Sequence, residues 1–411
     1  MTRIVVVGAG IIGTAIAYHA ARAGATVTLV DRGPIAEMGA SRWGFGGVSW
    51  ASACSPATIA FSDRGFARYL EMDAELGEPC GFRPGEFLAL LRNTSEVAEA
   101  EASVAAFQQR GHGARVIALD ELRHLEPALR FDGWAGALGI AQGHLDLRRC
   151  ARLWARHAAA HGAAVLEGVE VIAIDDRATL VRTSAGTLAA DLIFLAAGAW
   201  TRPLLRGLGI DLPVFHSHAE FLYTDPAPPV IAHQIAYGNA RRTQAEEAAV
   251  DPAFADAWRA GEDRELGQHS QEFGLVQFAD GHVRIGQTSR MIPAYREEPR
   301  PETFALLLDA ARALFPQVDT LPNIRLATRQ VAFTPDHLPI VGPLPGRPDI
   351  VLVATSTSPT VMAPAIGQAM AAYAVAGRWD PLLDEWRLDR PAVQRAAAWL
   401  RGKATSAGER V

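Results

Sequence analysis

The chain has 411 residues, 49% of them hydrophobic and 20% charged, with 39 basic against 45 acidic side chains and a net charge of −6. That composition is too apolar for a disordered chain, holds no apolar run of membrane-spanning length, and lacks the basic stripe a nucleic-acid partner requires. The length accommodates roughly two to three domains' worth of core.

Arg3 and the apolar residues after it have the outline of a secretory leader. Gly8, Gly10 and Gly13 break that run at fixed offsets, and a second β-branched segment follows at 26–30. The pattern predicts a βαβ unit, with a strand at 4–7, a helix over 11–23 and a strand at 26–30. Gly8 permits the tight turn, Gly10 lets a pyrophosphate approach the backbone, and Gly13 lets helix and strand pack closely. Ala9 and Ile12 complete the bend, and the helix directs its N-terminal amides at the phosphates. Asp31, with Arg32 beside it, ends the second strand where a carboxylate can hold a ribose hydroxyl. An acid there argues against a 2′-phosphate and leaves FAD and NAD open.

An NAD enzyme generally devotes its first 150 or so residues to one continuous nucleotide domain. Here a Ser/Gly-rich stretch at 39–52 follows instead, and its Ser41, Arg42, Gly46 and Gly47 suit wrapping around an extended cofactor. Trp50 is a candidate roof for a substrate pocket. A helix is expected to start at Ser55-Pro56, with Ser as the cap and Pro at the first helical position. Further helices are expected at 147–161 and over 301–315, the latter with Phe304, Leu307, Leu308, Ala311, Leu314 and Phe315 on one side. Asp280-Gly281 reads as the turn of a hairpin between 275–279 and 282–286. The polar stretch 236–272 is read three ways, as a lid, a subunit contact or a solvated insertion. Cys54, Cys80 and Cys150 are far apart with no paired spacing, which fits a reducing cytoplasm.

Three blocks of the chain resemble the D-amino-acid oxidase family of flavoproteins, which includes glycine oxidase and sarcosine oxidase relatives. The first is the glycine fingerprint. The second spans 144–224 and includes Val169-Glu-Val-Ile and the apolar strand that ends in Ala197-Gly198-Ala-Trp200. The third is Phe333-Thr-Pro-Asp-His-Leu-Pro-Ile-Val-Gly-Pro-Leu-Pro followed by a strand at 350–354 and a helix to about 376. The resemblance implies an α/β fold with a Rossmann-like FAD domain assembled from 1–84, 138–215 and 331–389. An α+β substrate domain with a mainly antiparallel sheet would come from 85–137 and 216–330, with a C-terminal helix and tail at 390–411. It implies non-covalent FAD, with Val171 by the adenine and Pro359, Thr360, Val361 and Met362 at the flavin ring. It also implies oxidation of a small amine or amino acid by hydride transfer to flavin N5, with O2 or a partner redox protein as the electron acceptor.

Two alternatives stand beside that activity: the flavin subunit of a larger dehydrogenase, and a non-catalytic flavin-binding protein. Either a homo- or a hetero-oligomer is compatible with them. Many relatives place a carboxylate-binding arginine three positions before the Thr of Thr-Pro-Asp, where this chain has Val331. Arg329 is the candidate replacement. Gln277, His218 and Glu220 complete the substrate-pocket candidates, Glu220 as a partner for a substrate amine. His216 and His218 share a strand face, but no further ligand spacing supports a metal, and none is expected.

Overall fold

The computed structural model describes residues 1–50, 53–175, 179–237, 240–355 and 359–401. A six-stranded sheet takes the strands Ile340–Leu344, Arg347–Ala354, Leu192–Leu195, Arg3–Val7, Thr26–Val30 and Ala164–Leu166 in that spatial order. Its pairs are parallel except the first, a hairpin. Val5, Val6 and their neighbours are buried on both faces, as the continuous apolar reading of a parallel strand requires. One face is covered by the helices Ile11–Arg22, Pro56–Leu76, Leu147–Ala160 and Pro359–Ala376. Ser55 caps the second of these through the Thr58 N–H, and Pro56 occupies its first turn. A separate three-stranded sheet is formed by Val171–Ile174, Leu180–Thr183 and Gly186–Ala189.

The second large sheet has nine strands, and its central path runs Arg325–Phe333, Phe215–Tyr223, Val283–Arg290, Ser270–Gln277, Gln234–Tyr237, Phe82–Leu91, Gly136–Leu145. All neighbours on that path are antiparallel except Gln234–Tyr237 with Phe82–Leu91. The expected boundaries at 84/85 and 137/138 fall inside the paired strands Phe82–Leu91 and Gly136–Leu145. Helix Glu302–Leu314 covers one face of this sheet, where Leu222, Leu275 and Ile285 meet Leu307, Leu308 and Leu314. The opposite face, carrying Ser217, Ala219, Phe221 and Tyr223 by the alternation of the strand, looks toward the 39–48 segment.

Candidate active site

The glycine bend is built as its sequence dictates. Gly8 has φ +103°, and a Cβ added there would lie 2.5 Å from the Ala196 carbonyl oxygen. A Cβ on Gly13 would lie 1.8 Å from the Gly8 carbonyl oxygen, so helix and strand meet at backbone contact. Gly10 caps the helix without a side chain, and Ser41 Oγ accepts the Ile11 N–H at 3.0 Å. Asp31 closes the bend from the other side, accepting the Ala9 N–H at 2.7 Å and the Gly33 N–H at 3.0 Å. Burial raises the Asp31 pKa, and the two backbone hydrogen bonds oppose that rise.

These elements border a cavity of about 380 Å³. Gly8, Gly10, Ile12, Asp31, Arg32 and Ser41 form one wall; Val171, Ala197, Gly198 and Trp200 form another. The Arg32 guanidinium lies 4.3 Å from the Trp200 ring centroid. At its far end the cavity reaches Gln330, Val331 and Ala332 on the edge strand of the nine-stranded sheet, and Thr355 and Pro359 at the start of the last long helix. A side-chain-free bend under a helix N-terminus, with a half-buried carboxylate 22 residues on from Ala9, fits an adenine dinucleotide.

Several expected contacts lie elsewhere. Ala9 and Gly13 shape the bend but do not line the cavity. Arg42 bonds Glu37, which also takes Arg148 and Arg152. Gly46 and Gly47 pack against Leu145, His144 and Gln234. Thr360 gives its carbonyl to the Tyr69 hydroxyl at 2.8 Å, while the side chains of Val361 and Met362 are buried in the core between the helices. Of the helix Pro359–Ala376, only Pro359 reaches the wall. The Thr355–Pro359 loop lies partly outside the described residues, at 356–358.

The substrate-pocket candidates divide by sheet face. Glu220 and His218 project from the covered face, two residues and four residues from Leu222. Glu220 is bound by Arg290 at 3.1 Å, the Thr303 hydroxyl and the Arg300 N–H at 2.8 Å, so it is a buried structural anion and not an amine partner. His218 Nε2 donates to the Ala294 carbonyl at 2.8 Å, and burial depresses its pKa. It meets the cavity only through Gln330, whose amide lies 3.4 Å from Nδ1. Gln277 spends its amide on the backbone of the 227–231 turn and Gly281. Trp50 is stacked on His112 at 3.6 Å and is 1% exposed, a core position rather than a roof.

Arg329 is on the open face, opposite Ala219, with Val331 opposite Ser217. Sequence reasoning missed its surroundings. Trp43 lies 5.3 Å from the Arg329 guanidinium, 4.5 Å from that of Arg42 and 5.7 Å from that of Arg284. Arg284 donates to the carbonyls of Gly44 and, at 2.9 Å, Arg42, and burial pushes its pKa down to about 10. Also missed was the 236–272 stretch as part of this face. Its helix Ala240–Ala249 brings Glu246 to the Ser217 hydroxyl at 3.2 Å and Arg242 to within 3.8 Å of Glu272. Glu272 is raised to about 7 by burial, with the Arg242 charge acting in the opposite direction.

An α/β protein with a glycine bend, an acid-closed cavity and a large antiparallel sheet against its end is a dinucleotide-binding protein by construction. Residues 3–373 match the FAD dependent oxidoreductase family, and the chain belongs to it; its cofactor is FAD. It is 26% identical over 353 residues to glycine oxidase of Pseudomonas aeruginosa, covering 84% of this chain and 86% of that protein. It is 28% identical over 234 residues to 4-methylaminobutanoate oxidase (formaldehyde-forming) of Paenarthrobacter nicotinovorans, where the match covers 55% of this chain and 28% of the relative. The crystal structure of glycine oxidase from Geobacillus kaustophilus shares the fold at a TM-score of 0.78 and 22% identity, over 95% of this chain and 99% of that one.

Proposed function

We propose that this chain oxidises the C–N bond of a small amine or amino acid bound on the open face of the nine-stranded sheet. The observation that carries this is the cavity's course: it begins at the dinucleotide bend and ends against Val331, on the sheet face that Arg329 and Ser217 share. Relatives named glycine oxidase and 4-methylaminobutanoate oxidase support an amine or amino-acid substrate. The bound flavin supplies the hydride acceptor. The protein's residues bind and orient. Gly8, Gly10 and Ser41 seat the cofactor's diphosphate, Asp31 its ribose, and Val171 and Trp200 its adenine end. Thr355 and Pro359 border the opposite end, and the Ala240–Ala249 helix excludes water from the open face. The cofactor domain is assigned to 1–84, 138–215 and 331–389, its boundary strands Phe82–Leu91, Gly136–Leu145 and Arg325–Phe333 continuing into the nine-stranded sheet, with FAD held without a covalent bond.

Anaerobic mixing with a panel of primary, secondary and N-methyl amines, with and without carboxylates, tests the reading. Loss of the flavin's visible absorbance with at least one amine is the expected result; a yellow protein that none of them bleaches would overturn it. Admitting air then separates O2 from a partner redox protein as the acceptor. Peroxide formed in step with turnover marks an oxidase. We place the chain in the cytoplasm, a reading supported by its three unpaired cysteines. Among the described residues no helix is long and apolar enough to cross a membrane.

A further inference from the structure

The open face carries an imbalance between donors and acceptors. Arg284 and Arg329 are both partly buried, and among the described residues neither forms an ion pair; Asp146 and Asp280 act on Arg284, and Glu297 and Glu37 on Arg329, only at longer range. The polar contacts of Arg329 are confined to the Thr328 carbonyl at 2.6 Å, and those of Arg284 to two carbonyls of the 42–44 loop. Between them stands Trp43, whose indole Nε1 is buried without an acceptor. The Arg329 and Arg284 guanidiniums thus lie 5.3 and 5.7 Å from the Trp43 ring centroid with no carboxylate bonded to either, while Arg42, 4.5 Å from the same ring, is taken by Glu37. The buried Trp43 N–H left unpaired costs about 1–3 kcal/mol, which an acceptor from outside the chain entering this nest would offset.

The place of the nest decides how long that ligand must be. Arg329 is opposite Ala219, one strand repeat, about 7 Å, from Val331 opposite Ser217. Val331 is the residue through which the cavity wall meets this face. The position nearest Val331 is unsuited to an anion, because the Ser217 hydroxyl is already given to the Glu246 carboxylate. Beside the cavity the face thus carries Glu246 with Arg242 3.9 Å from it, and one repeat away it carries Arg329, which has no ion pair among the described residues.

We infer that Arg329 and Trp43, backed by Arg284, bind a carboxylate of the substrate that is separated from the reacting nitrogen by several carbons, so the substrate is an amino acid of the γ or longer type and not an α-amino acid. This rests on the proposed amine oxidation. Arg329 on the strand Arg325–Phe333 and Trp43 on the helix Ala40–Trp43 supply donors suited to a carboxylate held by two oxygens.

The test is a series of N-methylamino acids with one to five carbons between nitrogen and carboxylate, beside N-methylbutylamine, using the FAD-loaded enzyme. The ratio kcat/KM should peak at three carbons or more and exceed that of N-methylbutylamine at least about 10-fold. In Arg329→Ala the KM for the best acid should rise about 10- to 100-fold with kcat changed little, the uncharged amine should be unaffected, and Arg329→Lys should recover part of the loss. Trp43→Phe, which removes only the indole donor, should raise the same KM by a smaller factor. A series that peaks at one carbon, or acids no better than the uncharged amine, would overturn the inference while leaving amine oxidation intact. If no amine is oxidised, pentanoate still decides. Its binding, read as a shift of the flavin spectrum, should weaken at least about 10-fold in Arg329→Ala, and equal binding or no binding to the parent protein counts against the nest.

Discussion

At the residue scale the dinucleotide bend is held by contacts that admit no substitute atom. A methyl at Gly13 would lie 1.8 Å from the Gly8 carbonyl oxygen, and both atoms belong to backbone with no room to retreat. Overpacking of this kind costs about 1–3 kcal/mol and more where the backbone must move. Gly13→Ala should accumulate with little or no flavin per chain, measured as the ratio of visible to protein absorbance after gel filtration. Asp31 offers a finer probe. Its two oxygens accept from Ala9 and Gly33, so an amide at that position turns one N–H acceptor into a donor facing a donor. Hydrogen bonds to a charged group contribute about 1.5–3 kcal/mol, so Asp31→Asn should raise the FAD dissociation constant about 10-fold or more in a fluorescence titration. An unchanged constant would remove Asp31 from the site.

At the element scale the lesson of the nine-stranded sheet is parity. His218 and Glu220 share a face, as their spacing of two requires, and the sequence spelled this out. Which face met the cofactor depended on where helix Glu302–Leu314 docked, and that is a long-range packing choice no local pattern carries. The βαβ unit, the hairpin at Gly281 and the amphipathic helix were legible because each is a local periodicity or turn chemistry. Trp43 was hidden in the Ser/Gly stretch that reads as wrapping the cofactor, and Arg284 on a strand where no local pattern marks it. The 236–272 stretch is likewise no solvated flap. Trp258 is 1% exposed, stands 4.8 Å from Phe215, and donates its indole N–H to Ala249 O at 2.9 Å. Trp258→Ala should therefore destabilise the protein by about 3–5 kcal/mol in denaturant unfolding, where a surface insertion would give almost nothing. Glu272 sets a pH dependence on the same element. Its folded pKa of about 7 lies above its ordinary value of 4.5, so folding favours the protonated acid. The stability this confers is fully present below about 4.5 and is lost as the pH rises through about 7. At 1.36 kcal/mol per unit the loss is of order 3 kcal/mol at most. Glu272→Gln, a permanent mimic of the protonated form, should match the parent's melting temperature near pH 5 and exceed it increasingly toward pH 8. A gap that is constant or closes with rising pH would refute the assignment.

At the scale of the whole molecule the cavity is a junction. Its walls come from the first bend, the 38–41 turn, the three-stranded sheet at Val171, the 196–207 segment, the edge strand at 330–332 and the start of the last long helix. Segments more than 300 residues apart in sequence, such as Gly8 and Thr355, thus share one ligand surface. A cofactor that binds only the assembled junction stabilises the fold by mass action, about 2.7 kcal/mol when free FAD stands at 100 times its dissociation constant. Stripped protein should therefore melt several degrees below the FAD-loaded form. The melting temperature should keep rising with the logarithm of added FAD after every site is filled, because excess ligand continues to penalise unfolding. NAD at the same concentrations should produce no comparable rise, and Gly13→Ala, whose bend is closed to the diphosphate, should not respond to FAD. If FAD instead shifts the Gly13→Ala variant as far as the parent, the cofactor is held by something other than the glycine bend. The division of labour between the two sheets would then have to be redrawn around that other site.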